Sequence, residues 1–453
     1  MMELPNILPH FSISIFEIIF GEFAQIKGSL FGDIIVNLNT IILTILGLIY
    51  SYQILFSLTS VVIKSKKFPD SKKKASYIFL TSARNEEKVI AQLIHSIKAL
   101  NYPQDKIAVH VIADNCDDET STIAERLGAK VFRREDKQMI GKSYALNFYF
   151  KDVKRPKLPR DFAGYIIIDT DNVLDPNYLN EMNKAVQNGQ SDIIAAYRSS
   201  TNMGQSLWTF GTGYSFLREC SLLHKTRENL GVSSYVSGTS FFVSHKKMAS
   251  LDGWPFHRLI EDIEFSADHV AQGGNIQYVH DAIFYDEQPN SFADSWRQRM
   301  RWVKGLFQVS SGYSIPTFKS IFARNRTLKQ RFSSFEAFTF VTPFPSITLY
   351  WLTFYGILSI INLALTGNMA FFIQTYLFTL FDFTFSLFMF TTVMSLLITF
   401  SNWRRIKMSA FKKLTYPFIA FIFLFTYIPM LMIAPFLKIE WKPVAHHGLK
   451  KPL

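Results

Sequence analysis

The chain has 453 residues, of which 48% are apolar and only 19% are charged. That balance is rich in apolar and poor in charged residues for a soluble enzyme, and the length is enough for one sizeable soluble domain joined to a membrane part. The formal net charge of +12 is compatible with nucleic acid, an anionic lipid surface or a phosphorylated substrate. Because the basic residues cluster beside apolar stretches, we expect a lipid bilayer and no nucleic acid as partner. The two cysteines, Cys116 and Cys220, make no disulfide framework, which favours a reducing, cytosolic setting for the soluble part.

The first apolar stretch predicts a transmembrane helix at residues 41–63, which carry no charge. This stretch is long enough to cross a bilayer core of about 30 Å. Lysines crowd positions 64–74, so the positive-inside bias places this side in the cytoplasm and the N-terminus outside. We expect residues 1–40 to be extracytoplasmic or interfacial, with an interfacial helix at 7–26.

Short β-rich runs alternate with helical patterns between residues 75 and 290. This alternation predicts a cytoplasmic α/β domain whose parallel sheet is covered by helices on both faces. We predict buried strands at 77–80, 109–113, 165–168 and 192–196, and helices at 87–99, 119–127, 142–150 and 177–187. In parallel sheets, ligands bind beyond the carboxyl ends of the strands, and Arg84, Asp114 and Asp169 fall there.

The C-terminal part is predicted to enter the membrane again. Residues 291–334 mix Trp, Arg, Gln and Phe and indicate amphipathic helices on the membrane surface. Residues 335–437 contain three plausible spans, at 337–362, 372–400 and 414–436, and 438–453 form a tail. Three spans after the soluble domain would leave the C-terminus outside and four would leave it inside, and the sequence leaves both possibilities open.

Acidic residues at strand ends are the first candidates for chemistry. Asp169 and Asp171 follow four apolar β-formers, so their carboxylates could approach one cation, and hard oxygen ligands suit Mg²⁺ or Mn²⁺. The alternative is an Asx-rich turn. Asp114 ends another buried strand, where it could accept a hydrogen bond from a base or a ribose.

Two further sites lie at predicted helix starts. Lys142 opens a helix after a glycine, which is a ready site for anions, and Arg84 could help to bind the same anion. Glu261 and Asp262 precede a helical run and could supply a general base for a sugar hydroxyl. Equally, they could be first-turn acids favoured by the helix dipole.

A third group of candidates would contact a sugar. Gln298, Arg301 and Trp302 occupy positions i, i+3 and i+4, hence one face of a helix. Arginine can clamp a diphosphate and tryptophan can stack on a sugar ring, although both residues are also common in interfacial belts. The sequence Ser237-Gly238-Thr239 would let a saccharide approach the backbone closely, or it is a plain turn.

Taken in order, these motifs resemble glycosyltransferase family 2, and within it the processive polysaccharide synthases. The resemblance rests on segments for the nucleotide (Arg84, Asp114), the diphosphate (Lys142), the metal (Asp169, Asp171), the acceptor (Ser237-Gly238-Thr239), catalysis (Glu261-Asp262) and the Gln-x-x-Arg-Trp motif (Gln298, Arg301, Trp302). Two positions depart from the family pattern, because Ser237 replaces a cysteine and Ile260 replaces a threonine.

The resemblance implies a Rossmann-like transferase domain of the GT-A type, inserted between transmembrane helices of the plasma membrane, that uses a UDP-sugar and Mg²⁺ or Mn²⁺. Asp262 would be the base, with Glu261 beside it, and the reaction would invert the anomeric carbon. Asp171 and Asp169 would hold the cation. Gln298 and Arg301 would hold the diphosphate, and Trp302 would stack on the terminal sugar of a growing polysaccharide.

From this resemblance we expect a processive enzyme that makes a β-linked polysaccharide and extrudes it through its membrane helices. UDP-glucose is slightly favoured as donor because of the Gly-Thr acceptor motif, and UDP-N-acetylglucosamine remains open. One alternative is a transferase that adds one or a few sugars to a lipid or cell-wall acceptor. The other is a transporter or receptor with a nucleotide-sensing cytoplasmic domain, which would bind UDP without turnover.

Overall fold

The computed structural model describes residues 28–153, 158–189, 191–439 and Gly448, so the interfacial helix predicted at 7–26 lies outside the described residues. The first element is helix α1 (Leu30–Val62), which begins where the Ser29 side chain accepts a hydrogen bond from the Gly32 amide. The helix therefore starts eleven residues before the predicted span, and the assignment of residues 30–40 to a separate interfacial segment is wrong. The run is apolar apart from a few polar residues, and one of them, Asn39, is buried against a neighbouring helix where it accepts a hydrogen bond from Trp351.

An eight-stranded sheet forms the centre of the soluble part, with the strand order β3-β2-β1-β4-β7-β6-β8-β5. The strands are β1 (Ser76–Ala83), β2 (Ile107–Asp114), β3 (Lys130–Arg134), β4 (Phe162–Ile167), β5 (Val173–Leu174), β6 (Ile193–Ser200), β7 (Phe241–Ser244) and β8 (Ile276–Asp286). All four predicted strands are present, and the four strands from β3 to β4 are parallel as predicted.

The prediction of a wholly parallel sheet is wrong in the second half of the domain. Strand β7 runs antiparallel to both β4 and β6, and β5 runs antiparallel to β8. A strand that is buried on both faces is a continuous apolar run in either direction, so the sequence pattern does not reveal its orientation.

Helices cover both faces of the sheet, and alternate residues of β1 show this directly. Tyr77 and Phe79 pack into one hydrophobic core, whereas Ile78 and Leu80 pack into the other. The four predicted helices are present as α2 (Ile90–Lys98), α3 (Thr120–Arg126), α4 (Lys142–Asn147, continued by a π-helical turn Phe148–Asp152) and α5 (Tyr178–Asn188).

After β6 the chain forms further helices, which precede its strongly apolar C-terminal helices. They are α6 (Leu207–Arg218, continued by a π-helical turn Glu219–His224), α7 (Lys225–Leu230), α8 (His245–Ser250), α9 (Glu261–Ala271), α10 (Phe292–Ile321) and α11 (Leu328–Val341). Helix α10 occupies most of the segment predicted as amphipathic, 291–334.

The remaining helices are strongly apolar. They are α12 (Phe344–Thr366), α13 (Met369–Phe372, continued by a π-helical turn Ile373–Leu377), α14 (Phe378–Ser401), α15 (Ala410–Phe425) and α16 (Tyr427–Ile433, followed by a 3₁₀ turn Ala434–Phe436). Among the described residues, four helical stretches are long and apolar enough to cross a membrane: 30–62, 344–366, 369–401 and 410–436. The span predicted to start at 337 starts instead at Phe344, because Pro343 interrupts the chain after α11.

The last of these stretches touches the α/β domain near both of its ends. Lys412 donates a hydrogen bond to the Gly204 carbonyl at 2.6 Å, and the Pro435 carbonyl accepts one from Lys304 at 3.0 Å. Beyond it, the Gly448 amide donates to Glu287, which directly follows β8. The C-terminal part of the chain therefore returns to the α/β domain.

A buried ion pair joins the α/β domain to helix α11. Arg227 Nε donates to Glu336 Oε1 at 3.1 Å, and the side chains are only 4% and 5% exposed. The nearest other carboxylate oxygen belongs to Glu219, 3.8 Å from Arg227 Nη1. This arrangement makes Glu336 the main counter-charge of a guanidinium that water does not reach.

Replacing Glu336 by glutamine should therefore destabilise the protein. The change removes most of the compensation for the buried Arg227 charge, and we expect a loss of about 3 kcal/mol in the free energy of unfolding. Thermal unfolding of the detergent-solubilised protein measures this as a lower Tm. Asp252→Asn is the control, because the Asp252 side chain is 94% exposed and its replacement should leave Tm unchanged. Equal Tm values for wild type and Glu336→Gln would show that the pair contributes nothing.

Candidate active site

The carboxyl ends of β1 and β2 form one side of a cleft. Each strand is followed closely by an asparagine in the left-handed region, Asn85 with φ 56° and Asn115 with φ 54°. Asparagine tolerates this conformation well, so the segments after β1 and β2 both turn sharply at the sheet edge. The Asn85 side chain accepts a hydrogen bond from the Asp117 amide, which ties the two loops together. Arg84, the predicted nucleotide-loop arginine, is half-buried at this edge.

Asp114, the predicted base or ribose ligand, is the buried last residue of β2. Its carboxylate accepts a hydrogen bond from Arg134 Nη1 at 2.6 Å and one from the Gly141 amide at 3.3 Å. It thus connects β3 with the start of α4, and only its remaining lone pairs face a ligand.

Lys142 brings the predicted donor side and the predicted catalytic side together. Its ammonium donates hydrogen bonds to Asp169 Oδ1 and to the Gly238 carbonyl, each at 2.6 Å. Glu261 Oε1 lies 4.0 Å from the same nitrogen. Burial acts to lower the pKa of Lys142, but Asp169 and Glu261 outweigh burial and raise it. The lysine is therefore a fixed positive charge among carboxylates.

The predicted metal residues follow β4 and are held by a buried hydroxyl. The Asp169 amide donates to Thr239 Oγ1 at 2.7 Å, and that hydroxyl donates to Asn172 Oδ1 at 2.7 Å. The Asn172 side chain also donates to Asp171 Oδ1 at 3.0 Å. Thr239 is only 3% exposed. This placement revises the expectation that Thr239 lines the acceptor, because its hydroxyl supports the metal loop instead.

Asp169 and Asp171 suit a divalent cation that the donor helps to bind. Among the described residues, no three His, Cys, Asp or Glu side chains converge to hold a metal ion by themselves. The carboxylates of Asp169 and Asp171 are hard oxygen ligands, and the Asp169 side chain is 39% exposed. They fit Mg²⁺ or Mn²⁺ when phosphate oxygens and water complete the coordination.

Glu261 and Asp262 are the first two residues of α9 and face the Ser237-Gly238 turn. A Cβ placed on Gly238 would lie 3.9 Å from Asp262 Oδ2. Burial raises the pKa of both acids while Lys142 opposes the rise, and the pKa of Glu261 reaches about 7. Both acids therefore lie where water solvates their charged forms poorly.

Helix α10 brings Arg301 and Trp302 to this cleft. Arg301 Nη1 donates to the Leu259 carbonyl at 3.1 Å, two residues before Glu261. Trp302 packs edge-on against Phe216 with ring centroids 5.8 Å apart. The side-chain oxygen of Gln298 is buried and has no hydrogen-bond partner among the described residues. An unpaired buried oxygen is costly, so a ligand group is the natural partner for Gln298.

Sequence reasoning missed Arg198 and its side-chain partners Asp286 and Phe216. Arg198 Nε donates to Asp286 Oδ2 at 2.7 Å, and its guanidinium lies 3.5 Å from the centre of the Phe216 ring. Nη1 donates to the Ser237 carbonyl at 2.6 Å. Arg198 stands near the end of a predicted buried strand, so the strand-end rule that identified Asp114 could also have found it.

The arginine inside the Gln-x-x-Arg-Trp motif points away from the cleft. Arg299 is fully buried and donates to Thr426 Oγ1 at 2.5 Å, with its guanidinium 4.2 Å from the centre of the Phe423 ring. Different sides of α10 therefore contact the cleft and the C-terminal apolar helices.

The raised pKa of Glu261 predicts a pH-dependent stability. Since the folded pKa of about 7 exceeds the ordinary 4.5, the folded state prefers the protonated acid, and stability falls as the pH rises from 4.5 through 7. Glu261→Gln mimics the protonated form. Below pH 4.5 we expect equal Tm values for the two proteins. At pH 8 we expect a higher Tm for the variant, which corresponds to up to about 3 kcal/mol in the free energy of unfolding.

The control for this experiment is Glu125→Gln, since the Glu125 side chain is 45% exposed and its replacement should give no pH-dependent gain. A Glu261→Gln variant that is no more stable than wild type at pH 8 would contradict the electrostatic description of the cleft.

Comparisons with known proteins agree with this geometry. Residues 75–305, just over half of the chain, match the family described as "Glycosyltransferase like family 2". The probable glycosyltransferase YdaM of Bacillus subtilis is 24% identical over 62% of this chain and 63% of its own length. A beta-monoglucosyldiacylglycerol synthase of Trichormus variabilis is 26% identical over 51% of this chain and 48% of its own. A poly-beta-1,6-N-acetyl-D-glucosamine synthase of Staphylococcus epidermidis is 24% identical over 53% and 57%.

The chain thus spans between 48% and 63% of the length of these curated relatives. Among solved structures, a mannosyltransferase from Pyrobaculum calidifontis, in complex with GDP-Man and Mn²⁺, superposes with a TM-score of 0.53. It is 14% identical, and the match covers 90% of this chain and 98% of the other. At that identity the likeness shows the fold, which is the mixed α/β GT-A fold. The family match sets aside the transporter or receptor alternative: the chain belongs to glycosyltransferase family 2 and is a glycosyltransferase.

Proposed function

We propose that the protein transfers a hexosyl group from a UDP-sugar to an acceptor hydroxyl at the membrane face, with inversion at the anomeric carbon. The position of Lys142 carries this proposal. One ammonium contacts Asp169 on the donor side and the Gly238 carbonyl on the acceptor side, and it lies 4.0 Å from Glu261. Leaving-group stabilisation and proton removal are therefore held within one cleft.

Asp262 is the proposed general base. It takes the proton from the acceptor hydroxyl while the acceptor oxygen bonds to the anomeric carbon and the bond to the diphosphate breaks. UDP leaves with the electron pair. Glu261 precedes Asp262 in the chain, and its pKa of about 7 allows it to exchange protons near neutral pH.

The donor diphosphate is proposed to bind between Lys142, Arg301 and the Asp169–Asp171 loop. A divalent cation on the two aspartates would neutralise charge on the departing UDP. The unpaired amide oxygen of Gln298 accepts from a sugar hydroxyl or, after rotation of the amide, its NH₂ group donates to the diphosphate. The superposed mannosyltransferase was solved in complex with Mn²⁺, which supports a divalent cation as cofactor.

A growing β-linked polysaccharide, extruded across the plasma membrane, is the acceptor we propose. Trp302 and Phe216 form an aromatic pair beside the proposed base, and aromatic faces bind sugar rings. The relative named as a poly-beta-1,6-N-acetyl-D-glucosamine synthase supports a polymer product. UDP-glucose and UDP-N-acetylglucosamine are the two donors to compare.

A lipid acceptor is the second candidate. The end of α10 exposes Ile315, Phe318 and Phe322, which are 67%, 46% and 65% exposed. Such an apolar tip can dip into a bilayer surface. The relatives named as beta-monoglucosyldiacylglycerol synthases support this acceptor.

Replacing the proposed base should separate binding from chemistry. We expect Asp262→Asn to lower the rate of sugar transfer by about 10³-fold while the Kd for UDP in the presence of Mn²⁺ is unchanged. Radiolabelled UDP-sugar and calorimetry measure the two quantities. Asp268→Asn is a matched control on the same helix, because Asp268 accepts an exposed hydrogen bond from Gln272 of that helix. A variant at Asp262 that retains full transfer would overturn the proposed role.

Product analysis decides between the two acceptors. With UDP-glucose or UDP-N-acetylglucosamine and Mn²⁺ alone, a chain-extending enzyme yields material that a matching β-glycosidase degrades and whose length grows with time. An enzyme for lipids yields a chloroform-soluble product only when diacylglycerol is added. If no UDP-sugar is consumed with either acceptor present, the proposed function fails.

A further inference from the structure

We propose that Arg198 is a positioning residue for the acceptor. In this assignment, which rests on the proposed function, one guanidinium fixes both the Ser237-Gly238 turn and the Phe216 ring. Through them it places the acceptor hydroxyl against Asp262.

The guanidinium is itself held firmly. Asp286, at the end of β8, accepts its Nε hydrogen bond at 2.7 Å and also contacts Nη2. The two side chains are only 12% and 2% exposed. A charge-assisted contact of this kind between two adjacent strands leaves Arg198 a single orientation.

The Ser237-Gly238 turn is clamped by cations on two successive carbonyls. Arg198 Nη1 donates to the Ser237 carbonyl and Lys142 donates to the Gly238 carbonyl, each at 2.6 Å. Gly238 adopts φ 88°, a conformation that favours glycine. A Cβ placed on it would lie 3.7 Å from Arg198 Nη1 and 3.9 Å from Asp262 Oδ2. The turn therefore lies between Arg198 and the proposed base.

The same guanidinium supports the aromatic pair. It stacks 3.5 Å from the centre of the Phe216 ring, and Phe216 meets Trp302 edge-on at an interplanar angle of 70°. Arginine can donate in two directions and stack on a ring at the same time, whereas lysine cannot. The positive charge also acts on the base, because Arg198 is among the groups that oppose the burial-raised pKa of Asp262.

The test compares productive transfer with futile hydrolysis of the donor. We expect Arg198→Gln to lower the ratio of transfer to UDP-sugar hydrolysis by at least about tenfold, since a misplaced acceptor cannot compete with water. The KM for the UDP-sugar should stay within about twofold, because the donor contacts are unchanged. Arg198→Lys should recover only part of the ratio.

A second variant keeps the test valid if Arg198→Gln unfolds. Phe216→Leu retains apolar volume but removes the ring, and it should lower the same ratio without affecting donor KM. The matched control is Arg405→Gln. Arg405 also pairs with an acid, Asp281, and stacks on a ring, Tyr197, but it lies on the loop after α14. Its replacement should leave the ratio unchanged.

Two results would overturn the inference. An unchanged ratio in a folded Arg198→Gln protein would show that the guanidinium does not place the acceptor. A raised donor KM at a constant ratio would assign Arg198 to the donor instead. Either result is distinct from failure of the proposed function, in which the wild-type protein itself transfers no sugar.

Discussion

The contact between Lys142 and the carboxylates around it is the interaction on which the site depends. Asp169 and Asp171 arrive from the end of β4, while Glu261 and Asp262 arrive from the start of α9, so four acids share one cleft. Burial of Glu261 and Asp262, together with the repulsion that Asp262 adds at Glu261, opposes ionisation there. One buried ammonium, bonded to Asp169 and to the Gly238 carbonyl, offsets part of that cost. The pKa of about 7 at Glu261 shows that the offset is incomplete, so stability is given up where chemistry is proposed.

Helix α10 couples this cleft to the strongly apolar C-terminal helices. One side carries Arg301 and Trp302 into the cleft, and a neighbouring side buries Arg299 against Phe423 and Thr426. A rigid helix with contacts on both sides holds the cleft at a fixed distance from the apolar helices. The acceptor, whether a polysaccharide or a lipid, is thereby expected to reach the cleft from the membrane side.

The sequence predicts the fold well where local patterns are strong. Strands β1, β2, β4 and β6 are continuous apolar runs, and their order with the helices indicates the α/β class. Strand β3 (Lys130–Arg134) escapes detection because basic residues interrupt its apolar positions, and β5 has only two residues. The antiparallel direction of β7 depends on how the preceding helices return the chain, which no local pattern encodes.

The candidate site residues likewise divide into those with a local sequence signal and those whose contacts depend on the fold. Asp114, Asp169 and Asp262 stand at strand or helix ends, where a sequence rule can find them. The pairs Arg134–Asp114 and Arg198–Asp286 join different strands, across 20 and 88 residues of chain, so neither pairing is visible before folding. Thr239 shows the converse case, since its motif indicated a sugar contact but its hydroxyl is buried against the metal loop.

The stereochemistry of the first product tests the central claim most directly. If Lys142 and the two aspartates hold the leaving UDP on one side of the anomeric carbon while Asp262 activates the acceptor on the other, a single displacement must invert that carbon. Proton NMR of the product formed from an α-linked UDP-sugar should then show a newly formed β-linkage. A product with the α-configuration retained would contradict the account.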